Sequence, residues 1–322
     1  MKATTGRKIL VTGTVGQIGS ELVPALREKY GNNNVIAVGH SKEPPDDFKK
    51  AGPFEKADTR NKEEVIALIK KYNVNTIYHL VGVLSAVGEK HPDLAWDVNM
   101  NSLKIVLDLA VEYKMDSVFW PSSIAAFGLT TPRKNTPQTT ILEPTTMYGI
   151  TKVAGELMCQ YYYKKYGLDV RSLRYPGIIS WKTPPGGGTT DYAVAIYYDA
   201  VQKGSYNCFV NEKTALPMMY MDDAIKGTIQ LMEAEPEKIK IRTSYNMTAL
   251  SFTAKELADN VAKYVKNFKC TFSSDERQKI ADSWPSSIDD SKAREDWGWK
   301  PKFDLDKISI DMIKNLKRTI LR

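Results

Sequence analysis

KILVTGTVGQIGSELVPALREKY, residues 8–30, is the stretch in which the fold declares itself. Lys8–Thr12 is a short, β-rich apolar run that passes directly into Gly13, Thr14, Val15, Gly16, Gln17, Ile18 and Gly19. From Gln17 to Tyr30 the apolar residues recur at helical spacing. Glycines so placed between a strand and a helix allow a tight turn, let the backbone approach a pyrophosphate, and let the helix pack closely on the strand. The helix N-terminus adds unpaired amides and a dipole that favours an anion. Gly13, Gly16, Gln17, Ile18 and Gly19 are therefore predicted to cradle a dinucleotide, although a plain strand–turn–helix would use the same glycines.

Working outward, β-rich runs alternate with amphipathic stretches. Candidate strands are Lys8–Thr12, Val35–Val38, Thr76–Leu80, Ser117–Trp120 and Asp169–Arg174, separated by helices at Gln17–Tyr30, Glu63–Tyr72, Leu94–Tyr113 and Tyr148–Tyr166. That progression predicts an α/β protein, a Rossmann-type doubly wound parallel sheet joined to a smaller, mixed α/β substrate-binding region. Residues 1–175 are read as the dinucleotide-binding domain. Residues 176–322 are read as mainly a substrate-binding or lid domain, some of whose segments return to the sheet core. WKTPPGGGTT at 181–190 breaks the pattern with Pro and Gly. A helix from about Asp191, a strand at Met219–Met221 and a helix opening at Asp222 and Asp223 follow. Asn61 with Glu64, and Thr253 with Glu256, read as capping boxes.

Composition excludes several function classes. The chain has 322 residues, 42% hydrophobic and 26% charged, so it can bury a core and is not a disordered tail. Its net charge of +7 is spread over the chain rather than gathered with aromatics, which argues for solvated helix faces and against nucleic-acid binding. Cys159, Cys208 and Cys270 stand far apart, and His40, His79 and His91 form no ligand spacing, so neither a disulfide framework nor a metal is expected. No run approaches the roughly 18 apolar residues of a membrane span, and the N-terminus has no apolar signal core. The sequence is read as that of a cytoplasmic protein with no membrane partner.

Three clusters carry chemistry. Tyr148 and Lys152 in MYGITK share one helix face a turn apart, where a lysine ammonium favours phenoxide and fits the tyrosine for general base work. Ser122 and Ser123 in PSSIAAFG stand at the carboxyl end of the fourth strand, where ligands bind in open α/β sheets, and Ser123 is placed to hold a substrate oxygen or to cap its loop. Asn99 in WDVNMNS bonds backbone or water near the lysine, or is a surface asparagine. Where an acid ordinarily ends the second strand and binds the adenosine ribose, the chain reads Gly39, His40, Ser41, Lys42. Asp58 is placed either to accept from the adenine amino group or to cap the next helix.

These residues together resemble the extended short-chain dehydrogenase/reductase superfamily, in TGTVGQIG, HLVG at 79–82, Asn99, PSSIAAFG, YGITK and the late DDSKAREDWGWKP. Within it, GQIGSELVPALREKYG, YGITKVAGEL, RYPGIIS, PGGGTTDYAV, LPMMYMDDA and SWPSSIDDS are similar to the short-chain-type L-threonine 3-dehydrogenases. The resemblance implies metal-independent oxidation of the 3-hydroxyl of L-threonine to 2-amino-3-oxobutanoate, with NAD as cofactor. It implies Tyr148 as base, Lys152 as its tuning cation and ribose contact, and Ser123 as holder of the oxygen. Substrate contacts fall on Ser85, Ser123, Tyr148, Gly186, Thr189 and Asp191. Cofactor contacts extend to Gly39, His40, Asp58, Leu80, Val81, Asn99, Tyr148, Lys152 and Tyr175. Asp191 suits an ammonium by charge, or caps its helix. A homodimer formed by the helices at 94–113 and 148–166 is also implied. The sequence departs from the family at Gly39, which leaves NADP open beside NAD. The rival reading is a nucleotide-sugar epimerase. Dehydratases of this superfamily carry an Asp-Glu pair just after the serine, where this chain has Ile124 and Ala125, so that chemistry lacks its groups.

Overall fold

The computed structural model describes residues 6–320. Six strands come first: β1 (Ile9–Thr12), β2 (Val35–Gly39), β3 (Phe54–Lys56), β4 (Thr76–His79), β5 (Ser117–Ser123) and β6 (Val170–Tyr175). With the short strand Tyr245–Asn246 they make one seven-stranded sheet, in the order Tyr245–Asn246, β6, β5, β4, β1, β2, β3. β1 pairs in parallel with both β2 and β4, so the strand order turns over between β1 and β4. In open α/β sheets that turnover opens a crevice at the carboxyl ends of the strands, and here those ends are Thr12 and His79. Every residue of β1, β2 and β4 is buried, as parallel strands covered on both faces must be.

The chain forms two compact units. The first runs to Ser122 and takes in Thr151–Leu173 and Thr228–Tyr245. Its core sets Leu10, Ile36, Ile77 and Val118 of the sheet against Leu68, Leu103 and Val106 of the covering helices. The second unit holds Ser123–Ile150, Arg174–Gly227 and the chain from Asn246 onward. It contains a three-stranded sheet in the order Leu250–Thr253, Ala215–Tyr220, Gly177–Ile179, and a parallel pair of Ser205–Cys208 with Lys269–Phe272. Its core includes Tyr192, Tyr197, Leu216, Phe252, Leu257 and Met312.

The expected division at 175 allowed later segments to return to the sheet core; in the structure Thr228–Tyr245 belongs to the first unit and Ser123–Ile150 to the second, for reasons of packing. Ile124, Ala125 and Phe127 bury in the core of the second unit. Arg171 of β6 donates to the carbonyls of Leu231 and Ala234, which ties the 228–245 segment to the first.

Two local expectations also change. The helix read at 94–113 is two α-helices, Pro92–Trp96 and Ser102–Glu112, joined by a π-helical turn at Asp97–Asn101. Asn61 caps its helix by accepting from the amides of Glu63 and Glu64, but Glu64 turns back to the amide of Asp58, so the box is not reciprocal. Thr253 and Glu256 do form one. Asp223 accepts from the amides of Lys302 and Phe303 at 2.9 Å, anchoring the C-terminal segment within the second unit. Cys159, Cys208 and Cys270 are free thiols. Among the described residues no group of three or more His, Cys, Asp or Glu converges as a metal site, and no helix is long and apolar enough to cross a membrane.

Candidate active site

The turn after β1 has the geometry its glycines predict. Gly13 sits at φ +72°, and a Cβ there would lie 2.9 Å from the backbone of Leu80 and Val81. A Cβ on Gly19 would lie 2.4 Å from the carbonyl oxygen of Gly13. Side chains are excluded from both places, and the bare backbone they leave is what a pyrophosphate needs for close approach. Beside the turn lies a cavity of about 360 Å³ in the first unit, walled in part by Gly13, Gly16, Gly39, His40, Asp58, Leu80 and Val81. Gln17, Ile18 and Gly19 form the entry into the helix Gly19–Tyr30 and do not line that cavity. The residues present fit a dinucleotide.

At the far wall the sequence reading missed an arginine. Arg60 donates to both carboxylate oxygens of Asp58, with Nη2 at 2.6 Å from Oδ2, and reaches Asp97 at 2.7 Å. This fork-to-fork pairing holds the Asp58 carboxyl below its ordinary range. His40 Nε2 stands 3.7 Å from the same carboxylate. Asn61 takes the helix cap, which leaves Asp58 as part of the cavity wall. The Asp-x-Arg spacing was the available signal.

The π-helical turn decides where Asn99 points. Buried, it accepts from Val83 N at 2.7 Å and donates to Val83 O at 3.2 Å and to Thr151 Oγ1 at 3.0 Å. It is not a surface asparagine, and its partner is the residue that precedes Lys152. Lys152 is itself buried, its ammonium donating to Pro121 O at 2.6 Å and lying 4.5 Å from the centre of the Trp120 ring. Burial drives its pKa down to about 7, against the opposing pull of Cys159 and Glu156. A Cβ on Gly155 would strike Trp120 at 2.3 Å, so only glycine lets this helix approach β5. Glu156, also missed, is buried one turn after Lys152 and accepts from Ser122 at 2.5 Å. Ser85 is buried at the start of the helix Ser85–Lys90, and Tyr175 is buried at the end of β6.

In the second unit, Ser123 ends β5 and accepts from Ala125 N at 3.2 Å. It is hydrogen-bonded to Tyr148. Burial pushes the Tyr148 phenol up to about 12, and the Ser123 hydrogen bond draws it back. Tyr148 occupies the first turn of the helix Met147–Tyr166, where the dipole favours negative charge on the phenol oxygen. The helix can begin so near the loop because Gly149 has no Cβ to meet Ala125 O, which would be 2.3 Å away. Lys152 follows on the same helix one turn later.

The glycine loop is organised by Asp191. Its Oδ2 accepts from Gly186 N at 2.7 Å and Gly188 N at 2.8 Å, and it makes no side-chain cap to its own helix, Tyr192–Lys203. Thr189 is buried and Gly187 takes a φ of +90°. Of the two sequence readings for Asp191, the helix cap is not made: the carboxylate caps the loop that precedes it.

Known proteins resemble this chain along almost all of its length. An uncharacterized epimerase/dehydratase of Staphylococcus haemolyticus is 48% identical over 96% of this chain and 98% of that protein. The holo form of a GalE-like L-threonine dehydrogenase from Cupriavidus necator is 50% identical, with a TM-score of 0.94 over 96% of this chain and 100% of that one. A monomeric L-threonine 3-dehydrogenase from a metagenome, in its apo form, is 51% identical, with a TM-score of 0.92 over 97% of this chain and 99% of that one. A family model, that of the NAD dependent epimerase/dehydratase family, matches residues 9–247. That match starts on the first residue of β1 and ends just past the last strand of the seven-stranded sheet, so it spans the cradle, Ser123, Tyr148 and Lys152, and the chain belongs to the NAD dependent epimerase/dehydratase family.

Proposed function

We propose that the protein is an L-threonine 3-dehydrogenase, converting L-threonine to 2-amino-3-oxobutanoate with NAD. The observation that carries the reading is the Ser123–Tyr148 hydrogen bond at the end of β5, in a chain that is similar throughout to L-threonine dehydrogenases. Tyr148 takes the proton of the 3-hydroxyl, and Ser123 holds the same oxygen by hydrogen bonding. Lys152 follows one helical turn later, and its ammonium form favours the phenoxide. Ser85, Gly186, Thr189 and Asp191 bind the amino acid. The glycine turn, Leu80, Val81, Asn99, Lys152 and Tyr175 hold the dinucleotide, which supplies a two-electron acceptor when bound.

The protein is proposed to work in the cytoplasm as a homodimer. Trp96 and Leu157 are exposed on the two helical stretches expected to form the interface. Sedimentation at twice 36.2 kDa checks this, and sedimentation at that mass itself overturns it.

The reaction is tested by the absorbance of reduced nicotinamide on addition of L-threonine and NAD. Tyr148→Phe is expected to lower kcat by about 10³-fold with NADH binding nearly unchanged. Dinucleotide binding without threonine turnover would favour the epimerase reading instead.

A further inference from the structure

The wall of the cavity next to the end of β2 differs from an ordinary NAD site in a way that side-chain packing explains. β2 pairs with β3 so that Phe54 stands opposite Ala37, on the same face as Gly39 two residues on. The Phe54 ring covers Gly39: a Cβ there would lie 3.0 Å from Phe54 Cζ and 3.2 Å from Lys42 O. A Cβ there fits only if the ring gives by a few tenths of an ångström. With glycine at 39 the carboxylate that ordinarily grips the ribose hydroxyls and repels a 2′-phosphate is absent, and the Phe54 ring lies against the place from which it would project.

The charges that remain nearly cancel. The charged and titratable wall residues are His40, Lys42, Asp58 and Arg60. Asp58 is held by Arg60, and Arg60 also pairs with Asp97. Among the described residues no ion pair is recorded for Lys42, which is exposed on the same wall. We infer that the Gly39–Phe54 packing makes this cavity indifferent to the ribose 2′-substituent, so that it takes a 2′-phosphorylated nicotinamide dinucleotide about as well as the unphosphorylated one, with Lys42 as the cation facing the added phosphate.

The inference rests on the dinucleotide reading of the site, and a binding experiment separates the two. NADH and NADPH are titrated against the intact protein and followed by nucleotide fluorescence. The expected wild-type dissociation constants lie within about tenfold of each other. Gly39→Asp combined with Phe54→Ala restores an acid with room to sit, and is expected to widen the NADPH to NADH ratio by about a hundredfold or more, since like charges then face each other. Phe54→Ala alone leaves the ratio where it was. Lys42→Glu, which does not touch the packing, is expected to weaken NADPH about tenfold more than NADH. A wild-type protein that already prefers NADH by more than about a hundredfold overturns the inference. So does a Lys42→Glu ratio equal to wild type. A protein that binds neither nucleotide removes the dinucleotide reading, and this inference with it.

Discussion

The Ser122 hydroxyl donates to Glu156 Oε1 at 2.5 Å, and both side chains are buried. One residue earlier on β5, the carbonyl of Pro121 accepts from Lys152. Two successive turns of one helix thus grip two successive residues of the strand, immediately before Ser123. Glu156→Ala should cost about 3 kcal/mol, because it leaves a cavity and an unpartnered buried hydroxyl. Glu156→Gln keeps an acceptor for Ser122 and should recover most of that loss. Urea midpoints compare the three proteins, and equal midpoints for Ala and Gln would show that the hydrogen bond is idle.

Asp191 supports the glycine loop through two backbone amides, at 186 and 188. Asp191→Ala should therefore speed proteolysis between Trp181 and Thr190 several-fold in the protein without ligands. If the carboxylate serves chiefly to bind the substrate ammonium, the same variant will raise the KM for L-threonine and leave the cleavage rate alone. Measuring both rates in one preparation decides between loop support and substrate contact.

How much of this was legible in the sequence depends on the kind of signal each residue carries. The cradle was legible because Gly13 and Gly19 sit where a Cβ meets backbone, a constraint that leaves its mark on residue type. Tyr148 and Lys152 were legible as a spacing on one helix. Asn99 was visible as a candidate, but its bonds to Val83 and Thr151 depend on a π-helical turn that has no local sequence signature. Glu156 escaped notice because a glutamate one turn past a lysine looks like any solvated helix pair. Only the packing of Gly155 against Trp120, which draws the helix onto β5, makes it a buried group. Phe54 escaped because its contact with Gly39 runs between strands, 15 positions apart in sequence.

Lys152 should impose a pH dependence on stability. Its pKa falls from 10.5 unfolded to about 7 folded, because burial penalises the ammonium. Between those values the unfolded chain binds a proton that the folded one lacks, so stability rises with pH across that window and the burden is full below about pH 7. Lys152→Met removes the burden. Its stability relative to wild type should be greatest near about pH 6 and should decline towards about pH 10, apart from a constant offset for the lost Pro121 contact. A difference in urea unfolding free energy that is flat with pH would mean that the ammonium is not desolvated.

His79 offers the complementary case, a buried group whose proton is fixed by its neighbours. The Ser102 hydroxyl donates its one proton to Val98 O, so it can only accept from His79 Nε2, at 2.9 Å. Nε2 therefore carries the ring hydrogen, and Nδ1 accepts from Thr12 Oγ1 at 2.8 Å. A second ring proton would face the Thr12 hydroxyl in a site closed to water, and burial, with a smaller push from Lys152, lowers the pKa to about 3. The unfolded histidine binds its proton near 6.5, so this contribution to stability is whole above that pH and is lost as pH falls towards 3. In ¹⁵N-resolved spectra, with the signal assigned by its disappearance in His79→Gln, the ring should show one protonated nitrogen at Nε2. It should not titrate between about pH 8 and pH 5. A ring that gains a proton in that range, in a protein still folded, would show that the Thr12 and Ser102 bonds do not hold the imidazole neutral.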